Sequence, residues 1–548
     1  MITERTAYML RRGHETAMTD SDSRSGRRPD PLRMLLLAAG LVACLRYLFA
    51  EVSRLRGGVG LPLDDGWIHL QFARNLAQGR GLSYNPGELV TGSTAPLWTA
   101  LLALLFPLPG GVILWTKLLG MLLYLAGIDA TWRLARALGL GRGLAALAAG
   151  LTLATSWLVW SAVSGMEIPL FVLLSLWGMI LHLRERGHPG RPPLSLAVFA
   201  VAVLARPEGL LLLLLAVLDR LLSFEGGEEG LRWRRPAPGT LLAGAAFAAC
   251  ALAGTLLFYA WAGGSVLPTT YAAKGGGTLR PLPDLHYLAN VLGVFLRPQP
   301  WMTLLAGAGA VSLASRWGTP RDRGLLPVLW LFGLPLAYSL LTPGPTRMMG
   351  NFGRYYFPLF PVLVVLGVLG LEPAVESLAA RLRPRALRTS LAALAALFVL
   401  APTLLDLFRG ERFYAQNVAN VEESDVAMAR WLARRLPAPC VLAVNDIGAI
   451  KYLLPNRVID LASIASPEIG REVRRATAAG ALWDDALLAA VARRRPDYIV
   501  VFPSWFPGLA GDPRFRPVYR LAIHGNITMG DDEIVVYETP WTRYPLRP

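Results

Sequence analysis

Two adjacent carboxylates, Asp64 and Asp65, head the stretch best suited to chemistry, LDDGWIHLQFARNLAQGRGLSYNPGELVTGSTAPLW at residues 63–98. Behind them Ile68, Phe72 and Leu76 fall on one helical face and Gly79 supplies a stop. The pair therefore opens a short amphipathic helix, which also carries His69. An aspartate before a helix ordinarily caps it by accepting a backbone N–H. A cap needs one carboxylate, and the second is left to act as a general base on an incoming hydroxyl. Six further ionisable residues stand near the ends of apolar runs: Lys117, Glu167, Arg206, Glu208, Lys274 and Arg354. Taken singly, each reads as a snorkelling or orientation-setting side chain. Taken together, they describe a polar cavity in which Lys117, Lys274, Arg354 and Arg206 would offset the charge of a departing lipid-linked phosphate. His69, Glu167, Glu208, Tyr271 and Tyr355 would line the substrate side, the tyrosines serving equally well in an interfacial aromatic belt. No His/Cys cluster has zinc spacing. No cofactor is required, and a divalent cation is compatible with the carboxylates without being called for.

The elements that must hold these residues are membrane spans. Mean hydropathy is +0.42, 54% of residues are apolar and 17% are charged, too little polar surface for a soluble chain of 548 residues. Apolar stretches long enough to cross a hydrocarbon core recur from residue 33 to residue 406. The net charge of +16 would suggest nucleic acid in a soluble protein; here the arginines fall between spans and record orientation. Arg5 to Arg33 precede the first span, which puts residues 1–32, polar and arginine-bearing, on the cytoplasmic side as a disordered segment and 51–95 outside as the first outer loop. The apolar piece 96–108 is too short to cross and reads as interfacial or re-entrant. With that choice every arginine-dense loop lands on one side, about eleven spans are counted, and the C-terminus is extracytoplasmic. The amphipathic helix after Asp65 is then expected to lie on the outer membrane surface. Residues 33–406 form the transmembrane module, and 407–548 form a soluble α/β domain with a helix over 426–436 and strands at Val441 and Tyr498. Cys44, Cys250 and Cys440 give no disulfide framework.

The Asp64-Asp65 pair, Ala73-Arg-Asn-Leu, Gly79-x-Gly81, Asn85-Pro-Gly-Glu and Pro96-Leu-Trp together resemble bacterial polyprenyl-phosphate-dependent glycosyltransferases of the GT-C fold, and within them the branch of the terminal arabinofuranosyltransferases. Later segments agree in order: Ser164-Gly-Met-Glu, Arg206-Pro-Glu-Gly, Pro268-Thr-Thr-Tyr-Ala-Ala-Lys, Gly353-Arg-Tyr-Tyr-Phe-Pro and, in the tail, Asn445-Asp-Ile-Gly-Ala-Ile and Val458-Ile-Asp-Leu-Ala-Ser. The resemblance implies a bacterial plasma-membrane enzyme that moves a sugar, with inversion, from a polyprenyl phosphate to an extracytoplasmic glycan, lipid or protein acceptor in the cell envelope. It makes a first-loop aspartate the base, which matches the Asp64-Asp65 pair and leaves either as the base, Asp64 being favoured if Asp65 is the cap. Ser93-Thr94-Ala95 and Gly66-Trp67 depart from the branch's usual residues, which leaves donor and acceptor open. Two rival readings remain: a transporter or flippase of lipid-linked sugars, which would carry ionisable residues at the bilayer midplane and internal repeats, and a non-catalytic assembly factor.

Overall fold

A computed structural model describes residues 30–186, 192–227, 230–233, 238–263, 280–319, 322–341, 350–381 and 385–547. Nearly all of the expected N-terminal segment lies outside the described residues, as do Tyr271 and Lys274.

Among the described residues six helices are long and apolar enough to cross a membrane: Pro31–Arg54, Val112–Ala137, Ile168–Arg186, Leu242–Trp261, Arg354–Leu378 and Thr389–Arg435. Arg142–Ala154 and Ser156–Val163 make a seventh if their 57° bend is counted within one span. The bend sits at Thr155, whose backbone is extended (φ −67°, ψ 109°). Gln299 reaches into the break and donates to the Leu151 carbonyl (2.9 Å) and to the Thr155 hydroxyl (2.8 Å), so the freed backbone is satisfied inside protein, as lipid requires.

The count of eleven is not reached by length. Four of the expected spans are the helices Leu194–Ala205, Gly209–Leu221, Pro300–Ser315 and Leu326–Leu341, of 12, 13, 16 and 16 residues. At about 1.5 Å per residue these reach roughly 18–24 Å, short of a hydrocarbon core of about 30 Å. The outer loop expected up to residue 299 contains a further helix, Leu285–Leu296, capped by Asp284 accepting from the Tyr287 N–H at 3.0 Å.

Packing among the helices uses small residues where backbones touch. A Cβ at Gly309 would overlap the Leu366 carbonyl oxygen, and one at Gly370 would overlap that of Leu305. Gly309→Val should therefore lower the melting temperature in detergent by an overpacking cost of about 1–3 kcal/mol. An unchanged melt would mean that helices Pro300–Ser315 and Phe360–Arg381 do not meet along this seam.

The expected boundary at residue 406 is crossed by one continuous helix, Arg385–Val421. Its 37 residues span roughly 55 Å, so it carries the chain well past a bilayer core. A π-helical turn, Glu422–Val426, joins it to the helix Ala427–Arg435. After an isolated hairpin of β1 (Phe224–Gly227) and β2 (Gly230–Trp233), the remaining strands are β3 (Val441–Val444), β4 (Arg457–Asp460), β5 (Tyr498–Val501), β6 (Arg516–Ala522) and β7 (Glu533–Glu538). They form one sheet in the order β4-β3-β5-β7-β6. β3 runs parallel to β4 and β5, and β7 antiparallel to β5 and β6.

One face of this sheet, with Leu442, Val444 and Val500, packs on Ile68, Phe72 and Tyr84 of the first loop and on Met428 and Leu432. The other face is covered by Val473, Leu487 and Val491 from the helices Pro467–Ala478 and Trp483–Arg494. The first-loop helix, Asp64–Ala77, is thus not laid on a membrane surface as expected. Its Trp67, Leu70 and Ala73 join the core of the helical module while Ile68 and Phe72 join the sheet's core. Buried on both sides, the helix acts as the seam between the two halves of the molecule.

Candidate active site

The seam is tied by hydrogen bonds as well as by apolar contact. Arg74 donates to the Tyr452 carbonyl at 2.7 Å and lies over its ring at 4.5 Å. The Tyr84 hydroxyl donates to the Ile447 carbonyl (2.7 Å), and Asn85 both donates to the Val458 carbonyl (2.9 Å) and accepts from the Val458 N–H (3.0 Å).

Asp64 completes this attachment. Its two carboxylate oxygens accept from the N–H groups of Gly448 (2.6 Å) and Ala449 (2.8 Å), which open the helix Gly448–Leu453. Charged acceptors on backbone donors are the stronger class of hydrogen bond. Position 448 has to be glycine, because a Cβ there would overlap the Asp64 backbone carbonyl. Burial pushes the Asp64 carboxyl up to about 6, against the pull of the two N–H donors.

Neither aspartate caps its own helix, contrary to expectation. The helix starts at Asp64 itself, the cap position is Leu63 in an extended conformation (φ −143°, ψ 148°), and no side chain there accepts a hydrogen bond. Asp65 is instead paired with Arg354, Nη1 to Oδ2 at 3.0 Å. The Arg354 side chain is 7% exposed and that of Asp65 35%. Both residues are half-buried; the Asp64 carboxylate is committed to two backbone N–H groups and that of Asp65 faces a guanidinium.

A second set of charged groups is linked by its own pairs. Arg206 meets Glu167 at 2.5 Å and Glu208 at 2.6 Å, His69 meets Glu167 at 3.3 Å, and the Tyr338 hydroxyl donates to Glu208 at 2.7 Å. Burial alone would raise the Glu167 carboxyl, but Arg206 and His69 outweigh it and hold the group well below the usual carboxylate range. Tyr355 bridges the two sets, its ring 5.2 Å from the Arg206 guanidinium and 5.7 Å from that of Arg354.

Asp65, Arg354, Tyr355, Arg206, Glu167, Glu208 and His69 are therefore linked through one chain of contacts. The charge of Arg206 is already offset by two carboxylates, those of Glu167 and Glu208. Lys117 is a plain correction. It is fully buried, and its ammonium already donates to Glu51 (2.9 Å), the Val163 carbonyl (3.0 Å) and the Tyr414 hydroxyl (2.6 Å). An ammonium has three donors, so none is left for a phosphate. Sequence reasoning missed Asp425 and Asp446, whose carboxylate oxygens lie with those of Asp64 within 4.8 Å of one another. The Asn445-Asp-Ile-Gly segment, with a glycine at a helix start, was the available signal for Asp446; Asp425 gave none.

The overall arrangement has known counterparts. ArnT from Cupriavidus metallidurans in the apo state superposes with a TM-score of 0.56 at 15% identity, over 92% of this chain and 97% of that one. The same protein bound to undecaprenyl phosphate gives 0.56 at 16% identity with the same coverage. The shared fold is GT-C. The archaeal oligosaccharyltransferase AglB from Archaeoglobus fulgidus, in complex with an inhibitory peptide and a dolichol-phosphate, gives 0.50 at 12% identity over 92% of this chain and 74% of that one. This chain is accordingly a membrane protein of GT-C fold. Residues 413–537 match a family described as a domain of unknown function (DUF8728). No curated protein matches the chain.

Proposed function

We propose that this chain is a membrane glycosyltransferase that moves a sugar from a polyprenyl phosphate to a hydroxyl acceptor outside the cytoplasm, with inversion at the anomeric carbon. The reading rests on one observation above all: a half-buried carboxylate, Asp65, paired with a buried guanidinium, Arg354, where the first loop, a membrane helix and the sheet domain converge. The solved relatives add support, since ArnT is described with undecaprenyl phosphate and AglB with a dolichol-phosphate.

In the proposed step the acceptor oxygen forms its bond to the anomeric carbon as the carbon–oxygen bond to phosphate breaks. The electron pair leaves with the polyprenyl phosphate, and the acceptor proton passes to Asp65. Arg354 holds Asp65 ionised before the reaction and faces the departing phosphate during it. The topology required is a cytoplasmic N-terminus and an extracytoplasmic sheet domain, in a bacterial plasma membrane. Asp64, the favoured base if Asp65 were the cap, holds the sheet domain to the first loop in this reading.

The test is reconstitution of the purified chain in lipid with a panel of polyprenyl-phosphate sugars, arabinofuranosyl donors first, and envelope glycan acceptors. Release of polyprenyl phosphate and an inverted linkage by NMR are the expected results. Arg354→Gln should lower kcat by about 10²-fold, the order seen when one donor to a developing oxyanion is removed. Transfer with retention of configuration would overturn the mechanism, and absence of turnover across the panel would overturn the reading.

A further inference from the structure

The geometry points to a divalent-cation site formed by Asp64, Asp425 and Asp446, where the first loop, the end of the long helix and the sheet domain meet. The ligand-competent oxygens of the three carboxylates lie within 4.8 Å of one another. Asp425 is fully buried, and neither of its carboxylate oxygens has a hydrogen-bond partner. The side chain thus points an unsatisfied carboxyl group at two others. Asp446 accepts one hydrogen bond, from the Asn445 amide at 3.2 Å. The charged groups that act on Asp425 are Asp446 and Asp64, both of its own sign. Those acting on Asp446 are Asp64, Asp65 and Asp460, again all acidic. Arg354 is engaged by Asp65.

Burying like charges together is costly unless something positive or a proton lies among them. A divalent ion offsets two of the three charges and satisfies the two idle oxygens of Asp425. It also leaves the backbone contacts of Asp64 intact, because each of its oxygens accepts one N–H and keeps a second lone pair. An all-oxygen ligand set selects a hard cation of the magnesium, manganese or calcium class. Metal–oxygen distances of about 2.1–2.6 Å put opposite ligands at most roughly 4–5 Å apart, and the three oxygens lie within 4.8 Å of one another. Asp425 reaches the site from the π-helical turn Glu422–Val426, an insertion of the kind often found at functional sites.

Such an ion would fix the sheet domain on the first loop and, through Asp64, set the position of Asp65. The inference does not depend on the transferase reading. Its test uses the purified full chain stripped with EDTA and Mn²⁺ alone, the free ion being followed by EPR and stability by thermal denaturation. One saturable Mn²⁺ per chain and a melting temperature that rises with Mn²⁺ are expected. Asp425→Asn and, separately, Asp446→Asn should each weaken binding by more than the roughly 10–100-fold loss that outer-shell replacements cause. Asp65→Asn, which removes the proposed base, should keep the Mn²⁺ site, so the two ideas fail independently. No saturable binding at millimolar Mn²⁺, with Asp425→Asn raising the melting temperature of the metal-free protein, would mean that the carboxylates share protons instead and would overturn the site.

Discussion

Asp65→Asn should lower glycosyl transfer by roughly 10²–10⁴-fold, the range that a positioned general base contributes. The amide keeps the side chain's size but cannot take the acceptor's proton. A simple loss would not decide the matter, because the substitution also leaves the Arg354 guanidinium, 7% exposed, without its counter-ion. An uncompensated buried charge can disturb a site on its own account. The double variant Asp65→Asn/Arg354→Gln separates the two causes. If Asp65 acts only as a partner for Arg354, removing both should restore much of the activity lost in the single variant. If Asp65 carries the proton, the double variant should be at least as slow, and the two effects should be close to additive unless the groups act as one unit. Asp64→Asn is the companion measurement. It weakens two charge-assisted bonds to the Gly448 and Ala449 N–H groups, so its main effect should be a lower melting temperature. A normal rate for Asp65→Asn together with a collapse of kcat for a well-folded Asp64→Asn would return the base to Asp64.

Much of this site could be read from the chain because its signals are local. The acidic pair, the amphipathic spacing of Ile68, Phe72 and Leu76 and the Gly79 stop all lie within sixteen residues of one another and do form one helix. What spacing could not show is which partner a carboxylate takes. An aspartate in a helix's first turn looks like a cap whether it bonds its own backbone or, as here, the start of a helix some 385 residues further on. The same blindness hid Asp425 and Asp446, which become neighbours of Asp64 only when the sheet packs on the first loop. Hydropathy identified the apolar runs but not their helical lengths, because short helices such as Leu194–Ala205 and Gly209–Leu221 are as apolar as true spans. The helix Leu285–Leu296 was passed over because its Asp284 cap stood in what read as a loop.

Lys117 shows how a residue can fit the chemistry and still be spoken for, and that assignment makes a second prediction of large effect. Lys117→Met should destabilise the protein by roughly 3–5 kcal/mol, the cost of breaking a buried pair and leaving one charge behind. The stranded group is Glu51, fully buried on the first membrane helix and shared with the Tyr414 hydroxyl at 2.9 Å. Glu51 also accepts from the Gly60 N–H at 2.7 Å, so its loss of the ammonium strains the entry to the first loop as well. Replacing both charges, Lys117→Met with Glu51→Gln, should recover most of that stability, since a neutral pair of similar volume is often as stable as the ion pair it replaces. Thermal denaturation in detergent reads the first effect, and transfer by the refolded double variant reads the second. A phosphate-binding lysine predicts the opposite pattern: a double variant that melts like the natural protein yet fails to turn over donor. A structural lock among the first, second and last membrane segments predicts that the double variant both folds and transfers, because the three side chains then hold helices together and touch no substrate.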